Sequence, residues 1–154
     1  MAIRAKVLGR EELNRRLRTL APEAEKQAEV AKLAVARDLA NAIRSRAPRG
    51  SSTTDKYADS IAGGYLRDNP AAKKLTGIGA SKDLDAAGLF AQYIWRFLEF
   101  GTAPHVNGGK FAGSKHPGTA AQPHIFPTWR AMRRKAKRKI ATAVNKAVRK
   151  VRKG

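Results

Sequence analysis

The sequence predicts an α+β fold: two N-terminal helices, a small, mostly antiparallel sheet and a long basic C-terminal helix. Apolar residues recur at helical spacing through the first 46 residues and again through the last 27, whereas glycine-punctuated short segments fill the middle. No internal repeat is visible. A length of 154 residues favours one domain, 1–154, with a core that hides roughly 70% of the surface of the unfolded chain.

Two helices are predicted before the sheet. The first runs from Arg10 to Leu20, after Gly9, and its leucines fall at helical spacing. Pro22 then suits the first turn of a second helix that reaches about Arg46 and stops before Pro48. The second helix carries an apolar stripe made of Leu33, Ala36, Leu39, Ala40 and Ile43.

The middle of the chain predicts loops and short strands. Residues 49–55 are rich in Gly, Ser and Thr, which indicates a loop. Residues 60–66 predict a strand that Gly63 and Gly64 weaken, and residues 75–80 predict another. Residues 83–88 predict a turn or a short helix.

An aromatic run follows and is ambiguous. Tyr93, Trp95 and Phe97 lie two apart, which suits one face of a strand from Gln92 to Phe100 that ends at Gly101. Helical spacing is also present, in Leu89, Phe90, Tyr93, Ile94 and Phe97. We favour the strand because of the aromatic density.

The last helix is predicted over 128–154, with Pro127 in its first turn, where a missing N–H has no intrahelical partner to lose. One face is apolar and comprises Trp129, Met132, Ala136, Ile140, Ala143, Ala147 and Val151. Before it, residues 102–122 form a glycine-rich loop that we expect to be mobile in the free subunit and ordered by a neighbour.

Charge is unevenly distributed. The chain has 32 Lys or Arg against 12 Asp or Glu, and Glu99 is the last acid. The last helix therefore has no i,i+4 salt bridges and repels itself, so we expect an acidic partner or a nucleic acid against it. The predicted contacts are Arg130, Arg133, Arg134, Lys137 and Arg138.

Catalytic and cofactor chemistry is not indicated. No Cys is present, and the spacing of His105, His116 and His124 matches no zinc pattern, so we expect surface histidines and no metal or cofactor. Ser51 to Thr54 have no adjacent activating group. Neither a signal peptide nor a membrane span is apparent, and we expect neither enzyme activity nor export.

Several short motifs occur together in order. These are Gly9-Arg10-Glu11-Glu12-Leu13, Ala47-Pro48, Asp59-Ser60-Ile61, Glu99-Phe100-Gly101-Thr102 and Pro123-His124-Ile125-Phe126-Pro127. In these motifs the chain resembles the small tail-component proteins of long-tailed bacteriophages and gene transfer agents. Two features depart from the family pattern: Ser51 to Thr54 replace a Thr-Gly-x-Leu segment, and His124-Ile125 separate Pro123 from Phe126.

The resemblance implies a structural ring, hexameric, at the neck of a phage-like particle assembled in the bacterial cytoplasm. Its implied partners are the tail-tube protein, a head-side connector or stopper protein and packaged DNA. The implied interface comprises Arg96, Glu99, Phe100, Gly101, Thr102, Pro123, Phe126 and Pro127. Glu99 is interpreted either as an exposed strand residue or as a partner for Arg96 or a neighbouring subunit's arginine. Charge alone supports a different function, non-sequence-specific nucleic-acid binding.

Overall fold

The computed structural model describes residues 10–68, 76–77 and 85–153. Helix α1 spans Arg10–Arg44 without interruption, so the predicted break between Leu20 and Pro22 is wrong. Pro22 lies inside the helix and is exposed. Because proline has no N–H, the carbonyl of Arg18, one turn earlier and also exposed, has no intrahelical hydrogen bond. Because this turn faces water, solvent can hydrate that carbonyl and the helix continues.

Helix α2 spans Ser52–Ser60, where the sequence predicted a loop. Ser51 is its N-cap: its hydroxyl accepts the Thr54 N–H at 3.2 Å, and the Thr54 hydroxyl accepts the Ser51 N–H at 3.1 Å. This reciprocal capping box turns a Ser/Thr segment into a helix start. Two helices therefore precede the sheet, as predicted, but with different bounds. Inward-facing Tyr57 and Ala58 anchor α2 in the core.

Within the described residues the sheet has three antiparallel strands in the order β1-β3-β2, formed by β1 (Ala62–Tyr65), β2 (Thr76–Gly77) and β3 (Ala87–Ala91). Tyr65 pairs with Ala87 and Thr76 with Ala91. A Cβ atom on Gly63 would lie 2.4 Å from the Ala36 carbonyl, so this glycine lets β1 pack directly on α1. The α+β class is confirmed.

Helix α3 spans Trp95–Phe100, so the predicted strand from Gln92 to Phe100 is wrong. Pairing in the sheet ends at Ala91, and a turn bond from Trp95 N–H to the Gln92 carbonyl (3.1 Å) starts the helix. The helical alternative is correct for Trp95–Phe100, but Leu89 and Phe90, which it included, lie in strand β3. Helical spacing buries Trp95, Leu98 and Glu99 together, which strand alternation cannot do.

A hairpin leads from α3 to the last helix. Its strands are β4 (His105–Val106) and β5 (Lys115–His116), joined through a 3-10 turn at Gly109–Phe111, and Thr102 pairs with Thr119 at the base. We call residues 102–119 the hairpin. It is largely exposed.

Helix α4 spans Ile125–Lys153, about 43 Å, and packs antiparallel on α1. Arg46 bonds Thr128 at 3.3 Å at one end, and Lys139 bonds Asp38 at 2.6 Å further along. The predicted apolar face is confirmed from Met132 to Val151, all buried or half-buried, whereas Trp129 is 40% exposed.

The core lies where α1, α2, β3, α3 and the start of α4 meet. Its buried members are Leu39, Ala40, Ile43, Ala47, Tyr57, Ala58, Ile61, Ala91, Trp95, Leu98 and Ile125. Across the described residues, none of the helices is long and apolar enough to cross a membrane.

Candidate functional site

The Glu99 carboxylate caps the N-terminus of α4. Its Oε2 accepts the N–H groups of His124 at 2.8 Å and Ile125 at 2.9 Å, and its Oε1 accepts the N–H of Phe126 at 3.0 Å. Glu99 is 2% exposed. A buried carboxylate is stable here because three N–H donors and the positive end of the helix dipole replace its water.

His124 joins this cap to α2. Its Nδ1 lies 2.6 Å from the Gln122 carbonyl and 3.4 Å from Glu99 Oε2, both acceptors, so Nδ1 carries the proton in the neutral ring. The hydroxyl of Tyr57 then donates to Nε2, at 2.6 Å, with the two rings edge to face. His124 is 3% exposed, so the expectation that all three histidines lie at the surface is wrong for this one.

Tyr57 is held in its protonated form. Burial, and then the negative charge of Glu99, raise the pKa of its phenol well above the ordinary value. The neutral phenol is the donor that His124 needs. Three buried side chains from α2, α3 and the start of α4 thus form one connected network.

The base of the hairpin is fastened beside this network. Gln122 N–H donates to the Leu98 carbonyl at 2.7 Å, and Thr102 and Thr119 exchange two backbone bonds of 2.9 and 3.1 Å. Gly101 has φ 72° and ψ −179°, a conformation nearly restricted to glycine, and its Cβ would lie 2.5 Å from the Thr119 carbonyl. Gly101 is therefore needed for close approach of the two hairpin ends.

An exposed aromatic surface lies on the outer side of α3. We define it as Tyr93, Phe97, Phe100 and Phe126; the first three are 66%, 49% and 63% exposed, and Phe126 is half-buried. Tyr93 meets Phe97 edge to face, and the Phe100 ring lies 5.8 Å from that of Phe126. Contiguous exposed aromatic groups mark protein interfaces more often than solvated surface.

The hairpin presents a second exposed set. Phe111 near its tip is 68% exposed and Val106 is 64% exposed, with Lys110 and Lys115 beside them. Near the base, His105 and His116 stack with ring centroids 5.0 Å apart. Their Nδ1 atoms are bonded to the Ala103 carbonyl and the Gly118 N–H, respectively.

The predicted interface residues are brought together, but they do not share one role. Arg96 and Phe100 are exposed on α3 and Pro127 is exposed in the first turn of α4, whereas Thr102 is half-buried and Pro123 is exposed. Glu99 is neither an exposed strand residue nor a partner of Arg96, because its carboxylate binds backbone N–H groups of its own chain. Gly101 serves the hairpin base.

Sequence reasoning missed the role of Glu99 and the network behind it. One signal was available. Helix α4 starts after His124, and no Ser, Thr, Asp or Asn stands in residues 120–124 to cap it, nor is an acid present in its first turn. A helix without a local cap implies that a distant group supplies one.

The basic face of α4 is exposed throughout. We call Arg130, Arg133, Arg134, Lys137, Arg138 and Arg149 the cationic stripe. Lys139, beside it, pairs with Asp38, whereas the stripe itself forms no ion pair with any described residue. Within 10–68, 76–77 and 85–153, no three His, Cys, Asp or Glu side chains are grouped so as to hold a metal ion.

A comparison with known protein families gives a match over the first part of the chain. Residues 11–101, 91 of the 154 positions, match the family model described as "Bacteriophage HK97-gp10, putative tail-component". The chain belongs to this family and is a structural component of a bacteriophage tail. The match runs from the start of α1 to Gly101; the hairpin and α4 lie beyond it. No curated protein and no solved structure matched the chain.

Proposed function

We propose that this tail component forms a ring at the neck of the particle, where it terminates the tail tube and joins it to the head-side connector. The observation that carries the proposal is the exposed aromatic surface, which lies directly over the buried Glu99 cap. Fixed aromatic groups suit a permanent contact because little side-chain freedom is lost when they bind.

The arrangement favours a ring over an isolated dimer. The aromatic surface and the hairpin tip are different surfaces of one chain, and both carry exposed apolar groups. If the hairpin of one copy contacts the aromatic surface of the next, the contact is head-to-tail, and its repetition closes a ring when the rotation allows. The hexameric number rests on the family resemblance.

The net positive charge of the subunits makes ring formation depend on an acidic partner. With a formal net charge of +20, free subunits repel one another, so we expect mostly monomers in isolation. An acidic tail-tube or connector surface would offset this field and permit assembly. The proposal contains no catalytic step and no cofactor. A nucleic-acid-binding protein acting alone is the competing function. It would bind duplex tightly at physiological salt and would remain a monomer after addition of tail-tube or connector protein.

Native mass spectrometry tests the proposal. We expect monomers alone and rings after addition of tail-tube or connector protein. Phe100→Ala should prevent ring formation because it removes an exposed ring from the aromatic surface. Val30→Ala is the matched control, since Val30 on α1 is 57% exposed and lies outside that surface. Monomers that persist in the reconstituted neck would overturn the proposal, as would equal assembly by both variants.

A further inference from the structure

The cationic stripe has a regular geometry along α4. Arg130, Arg133, Arg134, Lys137 and Arg138 follow the spacing i, i+3, i+4, i+7, i+8, so they lie on one side of the helix. Arg149, eleven residues further, returns to the same side and extends the stripe to about 29 Å. All six side chains are exposed.

The stripe differs in kind from the other two exposed surfaces. The aromatic surface and the hairpin tip contain large apolar groups, which the desolvated centre of a protein interface requires. Between Arg138 and Arg149 the same spacing places Ala141, Val144, Asn145 and Val148 on this side of α4. Ala141 and Asn145 are exposed and the two valines are half-buried, so no large exposed apolar side chain lies between the stripe residues. The stripe therefore offers charge without an apolar anchor.

We propose that the cationic stripe binds the phosphate backbone of duplex DNA without sequence preference. A phosphate backbone needs no apolar anchor, since Lys and Arg bind it by neutralising charge and releasing counterions. Five of the six side chains are Arg, whose planar guanidinium can hold a phosphate through two parallel hydrogen bonds. The stripe forms no ion pair with any described residue of its own chain, so its charges are available.

The biological role of this DNA binding rests on the proposed function, because packaged DNA passes through the neck. Its physical test does not depend on that position. An acidic protein is the other class of occupant for a basic surface, and the experiment separates the two.

The experiment measures binding of the full chain to two unrelated 30-base-pair duplexes by fluorescence anisotropy, between 50 and 200 mM NaCl. The stripe variant carries Arg133, Arg134, Lys137 and Arg138→Gln. The matched control carries Arg18, Lys26, Arg37 and Lys56→Gln, all exposed residues of α1 or α2. Both variants lose four charges, so a general effect of net charge weakens them equally.

We expect the stripe variant to bind at least about tenfold more weakly at 150 mM NaCl. The slope of log affinity against log salt should fall by about 3 to 4, because each lost phosphate contact removes roughly 0.9. The control should stay within about threefold of the unmodified chain, and both duplexes should bind alike. Far-UV circular dichroism melting confirms that both variants fold, as Gln preserves helix propensity.

Equal weakening in the two variants would overturn the inference, because binding would then reflect net charge and not the stripe. Normal duplex binding by the stripe variant, together with loss of binding to tail-tube or connector protein, would assign the stripe to an acidic protein and would also overturn it. If the unmodified chain binds duplex but forms no ring with tail-tube or connector protein, that result would contradict the proposed function alone.

Discussion

The carboxylate of Glu99 accepts the backbone N–H of Ile125 at 2.9 Å, across 26 positions of the chain. This bond joins α3, whose outer side carries exposed aromatic residues, to the first turn of α4, whose outer side carries the cationic stripe. The hairpin begins just after α3 and ends just before α4, so it is attached beside the same bond. This buried carboxylate therefore contributes to the relative positions of all three exposed surfaces.

Glu99→Gln should destabilise the fold by about 2–3 kcal/mol, because an amide lacks the charge and one of the two acceptors that face the three N–H donors. Urea unfolding at pH 7 measures the change. Glu25→Gln, at an exposed position of α1, is the control and should be nearly neutral. Equal stability of the two variants would show that the cap contributes little.

Tyr57→Phe should reveal an alkaline dependence of stability. Burial raises the pKa of Tyr57 in the folded state, so the folded chain keeps a proton that the unfolded chain loses above about pH 10. Stability from this group is therefore complete below pH 10 and declines as pH rises further. At pH 8 the variant should be about 1 kcal/mol less stable than the unmodified chain, because it lacks the bond to His124. The variant has no phenol to titrate, so this difference in stability should shrink by a similar amount by pH 11.

Unfolding curves at pH 8 and pH 11 for both proteins supply the comparison. Lysines titrate in the same range, but they are common to both chains and cancel in the difference. A stability gap that stays constant between the two pH values would contradict the protonated, buried phenol.

Gly101→Ala should destabilise the chain by about 2–3 kcal/mol and loosen the hairpin base. The substitution combines an unfavourable backbone conformation with a Cβ 2.5 Å from the Thr119 carbonyl and 2.9 Å from the Ala121 N atom. Gly109→Ala is a matched control, since Gly109 also has positive φ, 62°, but open space around it. We expect about 1 kcal/mol there. Similar urea unfolding curves for the two variants would contradict a role for close packing at Gly101.

Hydrogen exchange should divide the hairpin into two parts. In the free subunit, the amides of Thr102, Thr119 and Gln122 should exchange slowly because they are bonded at the base. Residues 103–118 also contain backbone bonds, such as that from Asn107 N–H to the Ser114 carbonyl at 2.8 Å, but they are mostly exposed with few buried apolar groups. These bonds should therefore open more readily, and their amides should exchange faster than those at the base. On assembly the exchange of Phe111 and its neighbours should slow by at least tenfold. Equal rates in the free and assembled states would rule out a contact by the hairpin.

Long periodic patterns were predicted well, and short ones were not. The apolar face of α4 extends over about six turns, so its helical period is unmistakable, and the basic stripe beside it follows from that period. The run from Tyr93 to Phe100 is too short to distinguish the two-residue period of a strand from the 3.6-residue period of a helix. Aromatic density favoured a strand, whereas burial of Trp95, Leu98 and Glu99 together required a helix.

The buried network could not be derived from local pattern, because its members are far apart in sequence. Tyr57 and His124 are 67 positions apart, and Glu99 and His124 are 25 apart. Sequence reasoning looks for partners at helix or strand spacing, so it interpreted Glu99 as an exposed strand residue or an arginine partner and treated the three histidines as one group. Their separation into a buried His124 and a stacked pair is set by tertiary packing.

The most direct test of the neck-ring proposal is imaging of the assembled particle neck by electron cryomicroscopy. The account predicts a closed ring of this chain between the tail tube and the head-side connector, with Phe100 and Phe126 buried against the hairpin of the adjacent copy. A neck in which the chain is a single copy, or a ring in which the aromatic surface remains exposed to solvent, would contradict it.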